Sequence, residues 1–296
     1  MLALACLALA GGSARAQNGN RTDAIDVYGG VGSWLDIFAG SPWARPDAVV
    51  ASLKAHGVRT LYLETSNYSH AAGVVYPAAT GRMIEAAHAA GISVVAWYLP
   101  SFAQPKLDAA HALAAIRYRT PSGERFDSFA LDIEASVVRN VSLRNARLLA
   151  LSRTLRADAP NGYPLGAIIP SPVGMARHPK YWPRFPYAQL AGLYDVFVPM
   201  AYFTNYVNTP TGAYAYARDV VRAIRTETGR PDVPIHLIGG AAQSASNGAI
   251  DGFARAAADC AVEGVSLYAY VQTRASEWTR LGDTPLGPGV PAPSCS

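Results

Sequence analysis

Charge is scarce in this chain: 16% of its 296 residues are Asp, Glu, Lys or Arg, and 25 basic against 21 acidic residues leave a net charge of only +4. The basic residues are scattered, whereas nucleic-acid binding needs a concentrated patch or stripe, so no nucleic-acid partner is expected. No run approaches the roughly 20 apolar residues that a membrane-spanning helix requires. Cysteine is limited to three residues, too few for a disulfide-built scaffold. Neither a P-loop nor a Gly-x-Gly-x-x-Gly phosphate cradle is present. The Gly-x-Ser-x-Gly nucleophile elbow is missing too. Histidine occurs six times, without His-x-His or His-Glu-x-x-His spacing, so neither a cofactor nor a metal is expected. A metal-dependent barrel enzyme using His70 or His236 with carboxylates is a third-ranked alternative.

Apolar material is abundant, at 50% of the chain, enough for a large core. The N-terminus, an Ala/Leu-rich stretch closing on Ala14-Arg15-Ala16, has the h-region and small-residue cleavage site of a secretory signal. We therefore expect residues 1–16 to be removed and the mature protein to be secreted or held in the cell envelope. Cys260 and Cys295 then remain, either joined in an oxidising compartment or left as two thiols. Residues 286–296 form a Pro-rich tail.

Between these ends, short apolar runs recur at Gly32–Phe38, Thr60–Thr65, Ser93–Leu99, Phe129–Glu134, Leu165–Pro170, Asp195–Tyr202, Ile235–Gly240 and Val265–Val271. Helical segments separate them, including Asp47–His56, Gly81–Ala90 and Ala213–Thr228, each followed by a glycine suited to the position after a helix end. Strands alternating with helices imply βαβ units and a parallel sheet. Eight such units predict a single α/β (β/α)8 TIM barrel over residues 17–285, with a doubly wound sheet as runner-up. Pro199 sits inside the sixth run, where it removes a ladder donor; a bulge near an active site is the expected accommodation.

In a barrel of this kind the site forms at the C-terminal strand ends. Alternation along strand four turns Phe129, Leu131 and Ile133 toward helices and Ser128, Ala130, Asp132 and Glu134 inward. Two inward carboxylates are costly to bury unless paired or used, and their mutual repulsion raises one pKa toward that of a general acid. Other strand ends contribute Trp34 and Asp36, Tyr62 and Glu64 with Asn67 and Tyr68, Trp97 and Tyr98, Met200 and Tyr202, Gln243, and Tyr268 and Tyr270. From these we select Trp34, Asp36, Glu64, Tyr98, Met200 and Tyr270 as substrate-binding residues. Aromatic faces beside carboxylates suit a sugar, whose apolar faces stack while its hydroxyls hydrogen-bond.

The segment Asp127-Ser-Phe-Ala-Leu-Asp132-Ile-Glu134 resembles the Asp-x-x-Asp-x-Asp-x-Glu signature of the family 18 glycoside hydrolases, chitinases and related endoglycosidases. Met200-Ala-Tyr202 is similar to that family's strand-six Met-x-Tyr. The resemblance implies Glu134 as acid/base on the glycosidic oxygen, and Asp132 orienting a substrate N-acetyl group that acts as internal nucleophile. Tyr202 would hydrogen-bond the same group. Ala130 stands where the signature has its second aspartate, and Tyr270 is nearest to the tryptophan expected on strand eight. The order Trp34-Leu-Asp-Ile-Phe, Leu131-Asp-Ile-Glu, Pro199-Met-Ala-Tyr-Phe203 also resembles secreted bacterial glycoside-hydrolase-like barrels, and the Asp-x-Glu is similar to that of the family 25 lysozymes. The expectation is a monomeric, secreted glycoside hydrolase acting on a poly- or oligosaccharide with N-acetylated amino sugars. The alternative is a non-catalytic glycan-binding barrel of the cell envelope, favoured by Ala130.

Overall fold

The computed structural model describes residues 25–287 and 295; the leader and most of the Pro-rich tail lie outside them. Eight parallel strands close a barrel in sequence order: β1 Gly30–Leu35, β2 Thr60–Asn67, β3 Ser93–Leu99, β4 Ser128–Asp132, β5 Leu165–Pro170, β6 Val196–Met200, β7 His236–Ala241 and β8 Gly264–Tyr268. The helices outside it are α1 Pro46–Ala55, α2 Pro77–Ala89, α3 Pro105–Arg117, α4 Val141–Asp158, α5 Pro172–Arg177, α6 Tyr187–Ala191, α7 Pro210–Thr228, α8 Asn247–Asp259 and α9 Ala275–Gly282. No helix among the described residues is long and apolar enough to cross a membrane.

Side-chain alternation builds two cores. Leu61, Leu63, Val94, Ala96, Phe129, Leu131 and their counterparts pack outward beneath the helices. Tyr62, Val95, Ala130, Ile168, Val198 and Ile238 fill the barrel itself. Its base is plugged by Tyr28, whose hydroxyl hydrogen-bonds with Ser128 Oγ at 2.6 Å. Gly166 is needed there, because a Cβ at that position would lie 2.5 Å from the Tyr28 hydroxyl. His236 also belongs to the plug: its Nδ1 is 2.8 Å from Tyr28 O and its Nε2 3.0 Å from Ser266 Oγ. Burial lowers its pKa to about 4, which makes it a neutral structural histidine far from the strand-end carboxylates.

With the base closed, the described residues leave the C-terminal rim as the open end of the barrel. There the ladders become irregular, with register shifts between Glu64 and Ser66 and between Ile238 and Ala241. Pro199 stays in β6, in register with Ile169 of β5. Phe197 donates to Pro234 O at 2.9 Å. Two residues on, Pro199 has no N–H to repeat that bond toward β7. The β6–β7 ladder accordingly keeps Met200↔Ile238 and the isolated bridge Phe197↔Ile235. Cys260 and Cys295 form a disulfide, Cα atoms 5.1 Å apart.

Candidate active site

Two cavities meet at the rim and share Glu134, Met200 and Tyr202. The smaller, about 290 Å³, is walled by Trp34, Glu64, Trp97, Asp132 and Tyr268, with Phe38 at its lip. The larger, about 480 Å³, is walled by Ser171, Met175, His178, Tyr181, Asn205 and Tyr216.

Strand four places the acidic pair as alternation requires: Ala130 is inside the barrel and Asp132 is 7% exposed at the end of β4. Glu134 follows in the turn after the strand, its carbonyl accepting a hydrogen bond from the Tyr181 hydroxyl. Burial pushes the Asp132 carboxyl well above the usual carboxylate range, and the neighbouring Glu134 and Glu64 add to it. Glu134 is raised by burial as well. Glu64, 3% exposed, is pushed up to about 7 by burial. The Ile37 N–H and the Asn67 amide, donating to its two oxygens at 3.0 and 3.3 Å, oppose that rise. No arginine or lysine forms an ion pair with these three groups among the described residues. Asp132 Oδ1 is buried without a hydrogen-bond partner, and Ala130, two residues earlier on β4, has only a methyl group that cannot supply one. Asp127, first in the motif, lies at the opposite end of β4 and accepts from Val94 N at 2.7 Å.

Aromatic groups complete the small cavity. Trp34 stacks on Tyr62 with centroids 4.1 Å apart and donates through Nε1 to Ser266 Oγ at 2.8 Å. Trp97 meets Trp34 edge-on at 6.0 Å. Burial and the two strand-four carboxylates raise the Tyr202 phenol, so it remains a neutral donor. Asp36 lies beyond the end of β1 and buttresses the wall: its Oδ2 accepts from the Tyr268 hydroxyl at 3.0 Å and its Oδ1 from Phe38 N at 2.8 Å.

Two expected binding residues are displaced. Tyr98 points the opposite way from Trp97, into the helical layer, where its hydroxyl donates to Asp108 of α3 at 2.8 Å. Tyr270 follows β8 in a short 3₁₀ turn and packs near Trp278, centroids 5.9 Å apart, so Tyr268 lines the cavity instead. Gln243 is exposed and lines neither cavity. Trp97 and Tyr268 were readable as strand-end aromatics. Phe38 reads as the end of the first apolar run but lies beyond β1, which ends at Leu35, and the remaining walls of the second cavity come from loops and short helices without strand periodicity. Among the described residues no group of three or more His, Cys, Asp or Glu is disposed to hold a metal ion.

The sequence matches no protein-family model and no curated protein. The fold is similar to that of solved enzymes. An endo-β-1,4-mannanase from Thermotoga petrophila is 12% identical, with 81% of this chain and 68% of that one covered and a TM-score of 0.63. A chitinase from Chromobacterium violaceum is 13% identical, covering 86% of this chain and 98% of that one, TM-score 0.62. The spore cortex-lytic enzyme SleL of Bacillus cereus is 10% identical, covering 86% and 74%, TM-score 0.65. These likenesses establish the TIM-barrel fold, one shared with glycan-cleaving enzymes.

Proposed function

We propose that the protein is a glycoside hydrolase in which Glu134 is the acid/base residue and the substrate carries N-acetylated amino sugars. One observation carries this reading: Glu134 lies at the junction of two cavities, only one of which contains Asp132. A general acid must face the oxygen between the sugar that reacts and the sugar that leaves. In this scheme the small cavity holds the reacting sugar, with aromatic faces to stack on and Asp132 to accept the acetamido N–H. The acetamido oxygen, positioned by the Tyr202 hydroxyl, attacks the anomeric carbon as the C–O bond breaks and Glu134 protonates the departing oxygen. Water then opens the cyclic intermediate and returns a proton to Glu134. The glycan-cleaving neighbours of the fold support this reading by analogy. Burial raises the Glu134 pKa, the direction that favours a general acid. Within this reading, residues 1–16 are an export signal, residues 17–285 are the working unit and the protein is secreted or envelope-held.

Glu134→Gln is expected to lower release of fragments from N-acetylated oligosaccharides by about 10²–10⁴-fold with unchanged melting temperature. Asp132→Asn is expected to reduce turnover more than affinity, because its interaction with the amide strengthens during reaction. Unchanged turnover in Glu134→Gln overturns the assignment. A second reading, a barrel that binds glycan without cleaving it, is favoured by Ala130 and the unpartnered Asp132 Oδ1. Retention on a polysaccharide with no released fragments selects it.

A further inference from the structure

The two cavities differ in charge. The small one gathers Glu64, Asp132 and Glu134 and is buttressed by Asp36. The large one has the shared Glu134 as the single carboxylate among its wall residues. Between Asp158 and Asp219 the single carboxylate is Asp195. It precedes β6 at the base of the barrel and is paired with Arg156 at 2.7 Å. The same stretch supplies cations at the mouth of the large cavity. Arg177, in the last turn of α5, holds its guanidinium 4.4 Å from the ring centroid of Tyr206, a wall residue. Lys180 is exposed between His178 and Tyr181, both of which line the cavity. Neither Arg177 nor Lys180 has a carboxylate partner among the described residues.

Aromatic rings hold one of these cations in place. Tyr206 is stacked with Tyr216 at 5.4 Å and 25°, and the Arg177 guanidinium lies 4.4 and 5.9 Å from the centroids of the two rings. Both rings line the large cavity, so the positive charge is carried beside its phenols. At the other cavity the exposed aromatic group is Phe38, 71% exposed.

We infer that the large cavity receives a carboxylate-bearing sugar, so that the natural glycan is an acidic heteropolymer cleaved with its anionic unit on the leaving side. This rests on the glycan reading of the site and narrows its substrate class. A uronic acid and an amino sugar bearing a carboxyalkyl ether share the required chemistry. Unpaired rim cations attract an anion over a distance set by ionic strength, about 10 Å at 0.1 M, and can raise its capture at least tenfold.

The test measures binding to the Glu134→Gln protein, so that no cleavage is needed. Three hexasaccharides serve as probes: neutral chitohexaose, an alternating N-acetylglucosamine–glucuronic acid oligomer, and a peptide-free N-acetylglucosamine–N-acetylmuramic acid strand. At low salt at least one acidic oligomer is expected to bind about tenfold tighter than chitohexaose, and which one does so identifies the carboxylate source. The advantage should shrink as salt rises and vanish when Arg177→Gln and Lys180→Gln are added, with the melting temperature unchanged. Equal affinity for all three probes overturns the inference, as does an acidic preference that survives the double substitution. Failure of the unsubstituted protein to release fragments from any probe, with the acidic preference intact, overturns the hydrolase assignment and supports the charge inference.

Discussion

Glu64 shows what burial does to a carboxyl group. Its pKa lies near 7 in the fold against 4.5 in the open chain, chiefly because burial disfavours the charged form. Above pH 4.5 the unfolded chain has released this proton while the folded chain retains it, so stability falls as pH rises and levels off above about 7. The full effect is about 3 kcal/mol, from 1.36 kcal/mol per pH unit. Glu64→Gln removes it, and its melting temperature should therefore decline less than that of the unsubstituted protein between about pH 5 and 8. Parallel declines would show that Glu64 ionises normally. Strand parity was legible from the sequence for Asp132 and Glu134, since Phe129, Leu131 and Ile133 marked the outward face. The same parity separates Trp97 from Tyr98, but two adjacent aromatics in an apolar run gave no sign of which one faced the ligand.

Among the elements, helix starts were the least legible. Five helices begin on proline at Pro46, Pro77, Pro105, Pro172 and Pro210. Proline there has the φ a first turn needs and no N–H to waste, yet in a sequence it reads as a breaker. The ends were clearer: Gly57, Gly91 and Gly229 all adopt positive φ beyond their helices. Strand β8 ended earlier than expected, and parity was lost where the chain left the ladder, which moved Tyr270 off the site. Pro199 fits a central strand poorly, and its cost is visible in the sparse β6–β7 ladder. Hydrogen exchange should accordingly be faster across β6–β7 than across the continuously paired β2–β3 ladder. Equal protection would mean that side-chain packing holds that seam as tightly as the ladders hold the others.

For the whole molecule, eight apolar runs at regular intervals were enough to announce the barrel, because strands covered on both faces and helices between them leave few other closed arrangements. The second cavity was illegible because most of its walls come from the connections that follow β5 and β6, where no strand alternation marks an inward face. The Cys260–Cys295 link closes a span of 35 residues. Such a constraint on the unfolded chain is worth about 3–4 kcal/mol in the chain-entropy account. Reduction, or Cys295→Ser, should lower the melting temperature by several degrees; an unchanged transition would show that the tail contributes nothing to stability. This link has a further geometric consequence. Tyr28 plugs the base of the barrel, and Cys260, at the end of α8 just before β8, is on that same side. Both extremities of the described chain thus lie opposite the rim. A fusion partner or solid support joined directly at Ile25 or Gly287 would therefore sit on the side away from the cleft.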